Sequence, residues 1–162
     1  MLVGFYLDEF NFRGVSNSTF DYAHYNEKIL KNKSIIFYNK KNFRNIKSVK
    51  KKFEKRFLIL GVNEFKEIDK YKNKYEFDYI YTQKGGKKDS WKLNNFKLLV
   101  HSIYPQTLSE IHGYRYVFCS EWLEKEFSNY KIKNVPYIVE LDKTKKNLKK
   151  ELKISKDKII FG

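Results

Sequence analysis

A chain of 162 residues has the length of one domain and can bury a core without covalent staples. Its single cysteine, Cys119, excludes an internal disulfide framework and fits a reducing compartment, and no apolar run approaches the ~20 residues of a bilayer-spanning helix. The net charge of +15 favours an anionic partner, yet only four of the 34 basic residues are arginine, namely Arg13, Arg44, Arg56 and Arg115, whereas planar recognition of phosphates and bases favours arginine.

Met1 to Leu7 and Ser34 to Tyr38 are short runs rich in β-branched and aromatic residues, and they bracket a segment of helical period from Phe20 to Leu30. That is the pattern of a βαβ unit. Between strand and helix lies an irregular polar run, Asp8 to Thr19, longer than the ~2–6 residues usual in a βα connection. Long loops tend to be functional. This one carries Arg13, Gly14, Ser16, Asn17 and Ser18, with Asn17 or Ser18 expected to cap the helix.

Further along, Ile46, Val49 and Phe53 recur at helical spacing in a lysine-rich segment near 44–56, a basic helix with a solvated outer face. Phe57–Val62 reads as a third strand. Asn63 is expected to cap a short helix through Phe65, Ile68 and Tyr71. A fourth strand, Phe77–Thr82, runs into Gln83-Lys-Gly-Gly-Lys-Lys-Asp-Ser90, read as a flexible glycine turn that keeps Lys84, Gly85 and Gly86 on the ligand side of the sheet.

Lys97–Ile103 is a fifth strand delivering His101 to the same edge, and His112 sits in the loop before a sixth strand, Tyr114–Cys119. Ser120 caps another helix, and Val135–Val139 reads as a last strand. Lysine-rich linker composition follows from Asp142, then one or two helical turns over Leu148–Leu152, then a turn and a new strand toward Gly162. The expected fold is α/β: a Rossmann-like, doubly wound, mostly parallel sheet flanked by helices. Residues 1–142 form that domain, and 143–162 form a linker and the first strand of another.

Chemistry is limited by elimination. The glycine turn lacks the Walker spacing, the first loop lacks GxGxxG, and Arg-Gly-Val-Ser-Asn-Ser lacks a nucleophile elbow. No metal site is expected, since no two histidines share a ligand spacing and one cysteine builds no zinc centre. What remains is a sheet edge carrying hydroxyl, amide, ammonium and imidazole groups, suited to a sugar or sugar phosphate.

Phe12-Arg-Gly14, Asp21-Tyr-Ala-His-Tyr-Asn-Glu27, Asn32 to Tyr38, Val100-His101, Ser120-Glu-Trp122, Val135 to Val139 and the terminal Leu-Lys-Lys-Glu-Leu-x-Ile-x-Lys-Asp-Lys-Ile-Ile-Phe-Gly run together resemble the amino-terminal half of bacterial and large-virus glycosyltransferases. These are two-Rossmann-domain (GT-B) enzymes of the family 4, retaining type. The resemblance implies an acceptor-side domain for a glycan or lipid-linked acceptor. The nucleotide-sugar donor would be held mainly by a second domain past Gly162, without a metal cofactor. It further implies that Gly14 and its neighbours approach the donor diphosphate, and that His112, or else His101, is catalytic and contacts the transferred sugar.

A cytoplasmic location is expected, because the amino terminus lacks a signal-peptide pattern, and a peripheral membrane contact through the basic helix near 44–56 is compatible with it. Two alternatives stand beside the transferase reading. One is a basic nucleic-acid-binding α/β module, which the scarcity of arginine disfavours. The other is a catalytically inactive, partner-binding remnant.

Overall fold

The computed structural model describes residues 1–138, 148–155 and 157–159. Six strands, β1 (Leu2–Leu7), β2 (Lys33–Asn39), β3 (Leu58–Val62), β4 (Tyr79–Lys84), β5 (Lys97–Ser102) and β6 (Arg115–Phe118), form one sheet in the order β3-β2-β1-β4-β5-β6. Every strand pairing is parallel. The helices are α1 (Gly14–Lys28), α2 (Lys47–Glu54), α3 (Glu121–Ser128) and the short α4 (Leu148–Glu151), with a 3-10 helix over Phe65–Tyr71. This is the Rossmann-like, doubly wound α/β fold.

Parallel strands covered on both faces read as continuous apolar runs, and Ile35, Ile36 and Phe37 of β2 are all buried. On one face Val3, Phe5, Leu7 and Ile36 meet Ala23 of α1 and Val49 and Phe53 of α2. On the other, Tyr6, Phe37, Ile80, Val100 and Phe118 meet Phe65 and Ile68 of the 3-10 helix and Leu123 of α3. No helix among the described residues is long and apolar enough to cross a membrane.

Several boundaries differ from the sequence reading. α1 begins at Gly14, not near Phe20, so the β1–α1 loop shrinks to Asp8–Arg13 and has an ordinary length. The serines did not look helical because their hydroxyls compete with the backbone. Here those hydroxyls are occupied: Ser18 Oγ lies between two acceptors, Gly14 O at 2.9 Å and Gln83 Oε1, that compete for its one hydrogen, and Ser16 receives Asn11 N–H at 3.0 Å. β4 runs on to Lys84, since Gln83 and Lys84 are buried polar residues that pair with His101 and Ser102.

Asn63 does not cap the 3-10 helix. Its N–H is instead received by Glu67 Oε2 at 2.8 Å, and that bond is the main reason the Glu67 carboxyl is pulled down to about 2. Ser120 does cap α3, accepting Leu123 N–H. In place of a strand over 135–138, the chain makes one isolated bridge, Asn134 beside Phe118, because Glu124 gathers the segment from below. Its carboxylate accepts Asn134 N–H at 2.9 Å and Lys133 Nζ at 3.0 Å. Val139, residues 143–147 and residues 160–162 of the expected terminal strand lie outside the described residues.

The centre of the sheet tolerates no side chain at Gly4. A Cβ there would collide with Ile80 Cδ1 and come within 3.2 Å of Phe37 and Phe77. Gly4→Ala is expected to lower the unfolding free energy by about 1–3 kcal/mol through overpacking, measured by urea denaturation against the parent chain.

Candidate functional site

Strand order reverses between β1 and β4: β1 is followed by β2 on one side, while β4 leads away on the other. At such a switch point the connections diverge and leave a crevice beyond the carboxyl ends of the strands. A cavity of about 560 Å³ lies there, lined by Arg13, Gly14, Ser16, Asn17 and Ser18 from the first loop and α1. Gln83, Lys84, Trp91, Tyr104, Tyr137 and Ile138 complete its lining, and Asp8, Glu9 and Asp21 also reach it.

The helix start is open toward this space. Arg13 is the N-cap of α1 and makes no side-chain cap bond, and the first turn has no acidic residue. The N–H groups of Gly14, Val15 and Ser16 precede any carbonyl acceptor within the helix and sit at the positive end of its dipole. Arg13 N–H is taken by Asn11 Oδ1 at 2.8 Å. The Ser16 and Ser18 hydroxyls, by contrast, already serve the loop and Gln83.

Facing the helix start is Lys84, whose side chain is only 8% exposed. Its ammonium meets Asp89 Oδ2 at 2.5 Å and His112 Nε2 at 3.0 Å and lies 5.0 Å from the Trp91 ring centre. His112 Nδ1 is 2.7 Å from Glu110 O, and a carbonyl can only accept. Nδ1 therefore carries the hydrogen, leaving the Nε2 lone pair for Lys84. His112 lines a recess beside the cavity rather than the cavity itself.

Gly85 and Gly86 line a second recess that shares Lys84 and Tyr104 with the main cavity. They do not form a loose turn. Gly85 O receives Gln106 Nε2 at 2.8 Å, and Gly86 O receives the Tyr116 hydroxyl at 3.0 Å. Gly86 has φ +96°, and a Cβ there would clash with Ser102 Oγ and press on Tyr116 and Gln106, so only glycine fits.

His101 sits behind the cavity, fully buried, at the end of a polar relay. Ser18 bonds Gln83 Oε1, Gln83 Nε2 donates to the Tyr81 oxygen at 2.9 Å, and the Tyr81 hydroxyl lies 2.6 Å from His101 Nδ1. With its oxygen accepting from Gln83, Tyr81 gives its hydrogen to Nδ1. His101 Nε2 is left without a hydrogen-bond partner among the described residues. Tyr22 and Tyr137 pack on the ring. Desolvation pulls the imidazole down to about 4, against a weaker opposite pull from the Val135 and Phe118 backbone, and burial also raises the Tyr81 phenol far above its usual range.

Lys84 thus links elements that the sequence had placed on one sheet edge: Arg13 to Ser18 share its cavity, Gly85 and Gly86 adjoin it, and His112 binds its ammonium. His101 reaches the cavity through the Tyr81–Gln83 relay and through Tyr137, which stacks on its ring. Gln83, Trp91 and Tyr104 were not singled out beforehand. Gln83 carried one usable signal, a position directly after an alternating strand. Among the described residues no group of three or more histidine, cysteine or acidic side chains is placed to hold a metal ion.

Comparison with protein-family models, curated proteins and solved structures finds no match for this chain. The fold assignment therefore rests on the chain's own topology.

The relay gives a pH signature. An unfolded histidine titrates near 6.5 and the folded one at about 4, so between those values the unfolded chain binds the extra proton and folding stability falls as pH drops. The expected loss is about 3 kcal/mol from pH 6.5 to 4. Denaturant titrations across that range should show the loss in the parent chain and a reduced slope in His101→Phe.

Proposed function

We propose that this chain binds a phosphorylated nucleotide ligand, a nucleoside diphosphate or its sugar ester, at the switch-point cavity, and that it is the acceptor-side half of a glycosyltransferase. One observation carries the reading. Where the strand order reverses, the open start of α1 and the enclosed ammonium of Lys84 face the same cavity.

The chemistry fits an oxyanion. Three backbone N–H groups at a helix start, aided by the helix dipole, suit phosphate oxygens, and Lys84 adds a point charge whose position is fixed by Asp89 and His112. Trp91 and Tyr104 offer flat apolar walls for a base or sugar face, and Asn17 and Asp8 offer partners for hydroxyls. The glycosyltransferase part of the proposal rests on the sequence resemblance. In this reading His112 positions the ammonium rather than touching the transferred sugar, and His101 orients Gln83 on the cavity floor.

Amide NMR titrations with ADP, GDP and UDP, with the matching nucleosides as controls, test the proposal. Shifts are expected at residues 14–18 with a diphosphate and not with a nucleoside. Lys84→Met should weaken diphosphate binding about tenfold or more. Failure of every diphosphate at millimolar concentration to perturb residues 14–18 would overturn the reading.

A further inference from the structure

Two loops at the carboxyl edge of the sheet expose what soluble surfaces hide. The β1–α1 loop carries Phe12, 72% exposed, and the β2–α2 loop carries Phe43, 89% exposed. The same loops contain Phe10, fully buried against Tyr38 and Phe53 with ring centres 4.9 Å away. One phenylalanine is used for the core and two are turned outward.

The loops are held together. Ile46 N–H donates to Phe10 O at 2.7 Å, Phe10 N–H to Asn45 Oδ1 at 2.9 Å, and Asn42 Nδ2 to Asp8 O at 3.2 Å. Arg13 and Arg44 both reach the Glu9 carboxylate, at 3.8 and 3.9 Å, which places the residues following Phe12 and Phe43 on either side of one group. The two rings are therefore tips of one braced rim.

That rim is cationic. Lys41, Arg44 and Lys47 are exposed along it, with Arg13 on the neighbouring loop. Lys47 is the first residue of α2, a helix with no side-chain cap bond and no acid in its first turn, so its charge sits at the unfavourable end of the dipole. α3, away from this rim, has the usual Ser120 cap with Glu121 and Glu124. An anionic surface relieves the charge at the start of α2.

We propose that Phe12 and Phe43 insert into the interface of an anionic lipid bilayer, with Arg13, Lys41, Arg44 and Lys47 contacting its headgroups. Paired apolar and cationic signals are what interfacial docking requires. The outer face of α2 contributes less than its lysine count implies, because Lys50 pairs with Glu54 and lies over Tyr38, and Lys52 lies over Phe20. Single-stranded nucleic acid is the weaker fit: it is gripped in grooves that track its backbone, whereas rings this exposed stand on convex tips that meet a flat partner.

This docking does not rest on the identity of the cavity's ligand, although Arg13 borders both the rim and the cavity. Its test is co-sedimentation of the whole chain with vesicles of phosphatidylcholine, alone or mixed with phosphatidylglycerol, at low and high salt. Binding is expected only with phosphatidylglycerol and should fall steeply with salt as screening shortens to ~3 Å at molar strength. The double variant Phe12→Ser/Phe43→Ser, altered only at exposed tips, should lose about tenfold or more, and Lys41→Gln or Lys47→Gln about fivefold each.

In Phe43→Trp, emission of the new indole should shift to the blue on vesicles. Unchanged binding of the double phenylalanine variant, an unshifted indole on bound vesicles, or Phe43-dependent binding of an oligonucleotide without vesicle binding would each overturn the proposal.

Discussion

β1 bears parallel ladders on both sides, to β2 from Leu2 through Leu7 and to β4 at Gly4, Phe5 and Tyr6, and the architecture follows from that constraint. Parallel neighbours cannot be joined by hairpins and need crossovers. Those on the β2 side put α1 and α2 on one face, while the chain from β3 crosses to the other before entering β4. No connection spans the gap between the ends of β1 and β4. The gap is the cavity, and Gly4 is where β1 comes close enough to its neighbours to hold it.

Much of this was legible in the residues. Apolar runs mark all six strands, continuous in the central β2 and alternating in β4, while the similar run at Val135 proved to make no strand over 135–138. Helix α3 announces itself through the Ser120 cap and the acids after it. Strand order was not legible, since Ile35 or Val100 would look the same in any central position.

The site was half legible. Arg13 to Ser18 stood out through turn-like composition, but that composition hid the first turn of α1, where hydroxyls bonded to nearby groups make serine acceptable in a helix. Lys84 was noticed for its glycine neighbours, yet its role depends on Asp89 and His112, brought together by folding from different loops. The His101 relay could not be read at all: Ser18, Gln83, Tyr81 and His101 come from three elements and meet only after β4 and β5 align.

The strong positive charge of the whole chain is answered at the cavity by a carboxylate. Lys84, enclosed and 2.5 Å from Asp89, has its direction fixed, whereas Arg13 and Arg44, largely exposed, reach Glu9 only at 3.8 and 3.9 Å. A held charge loses less freedom when a ligand arrives and discriminates geometry better than a mobile one. Elsewhere lysines lie over aromatic rings, as Lys97 does over Tyr114 and Lys72 over Phe96, which covers apolar surface with their methylene stems.

The locked wall at Gly85 and Gly86 has a kinetic meaning. Glycine pairs usually lend a loop mobility, and a mobile wall must order itself around each arriving molecule, which slows capture. Here both carbonyls are engaged and Gly86 holds a backbone conformation that only glycine accepts, so this wall of the adjoining recess is already set. For the ligand proposed above, encounter and capture would become a single event beside this wall, and differences among such ligands would be expressed in how long they stay rather than in how fast they arrive.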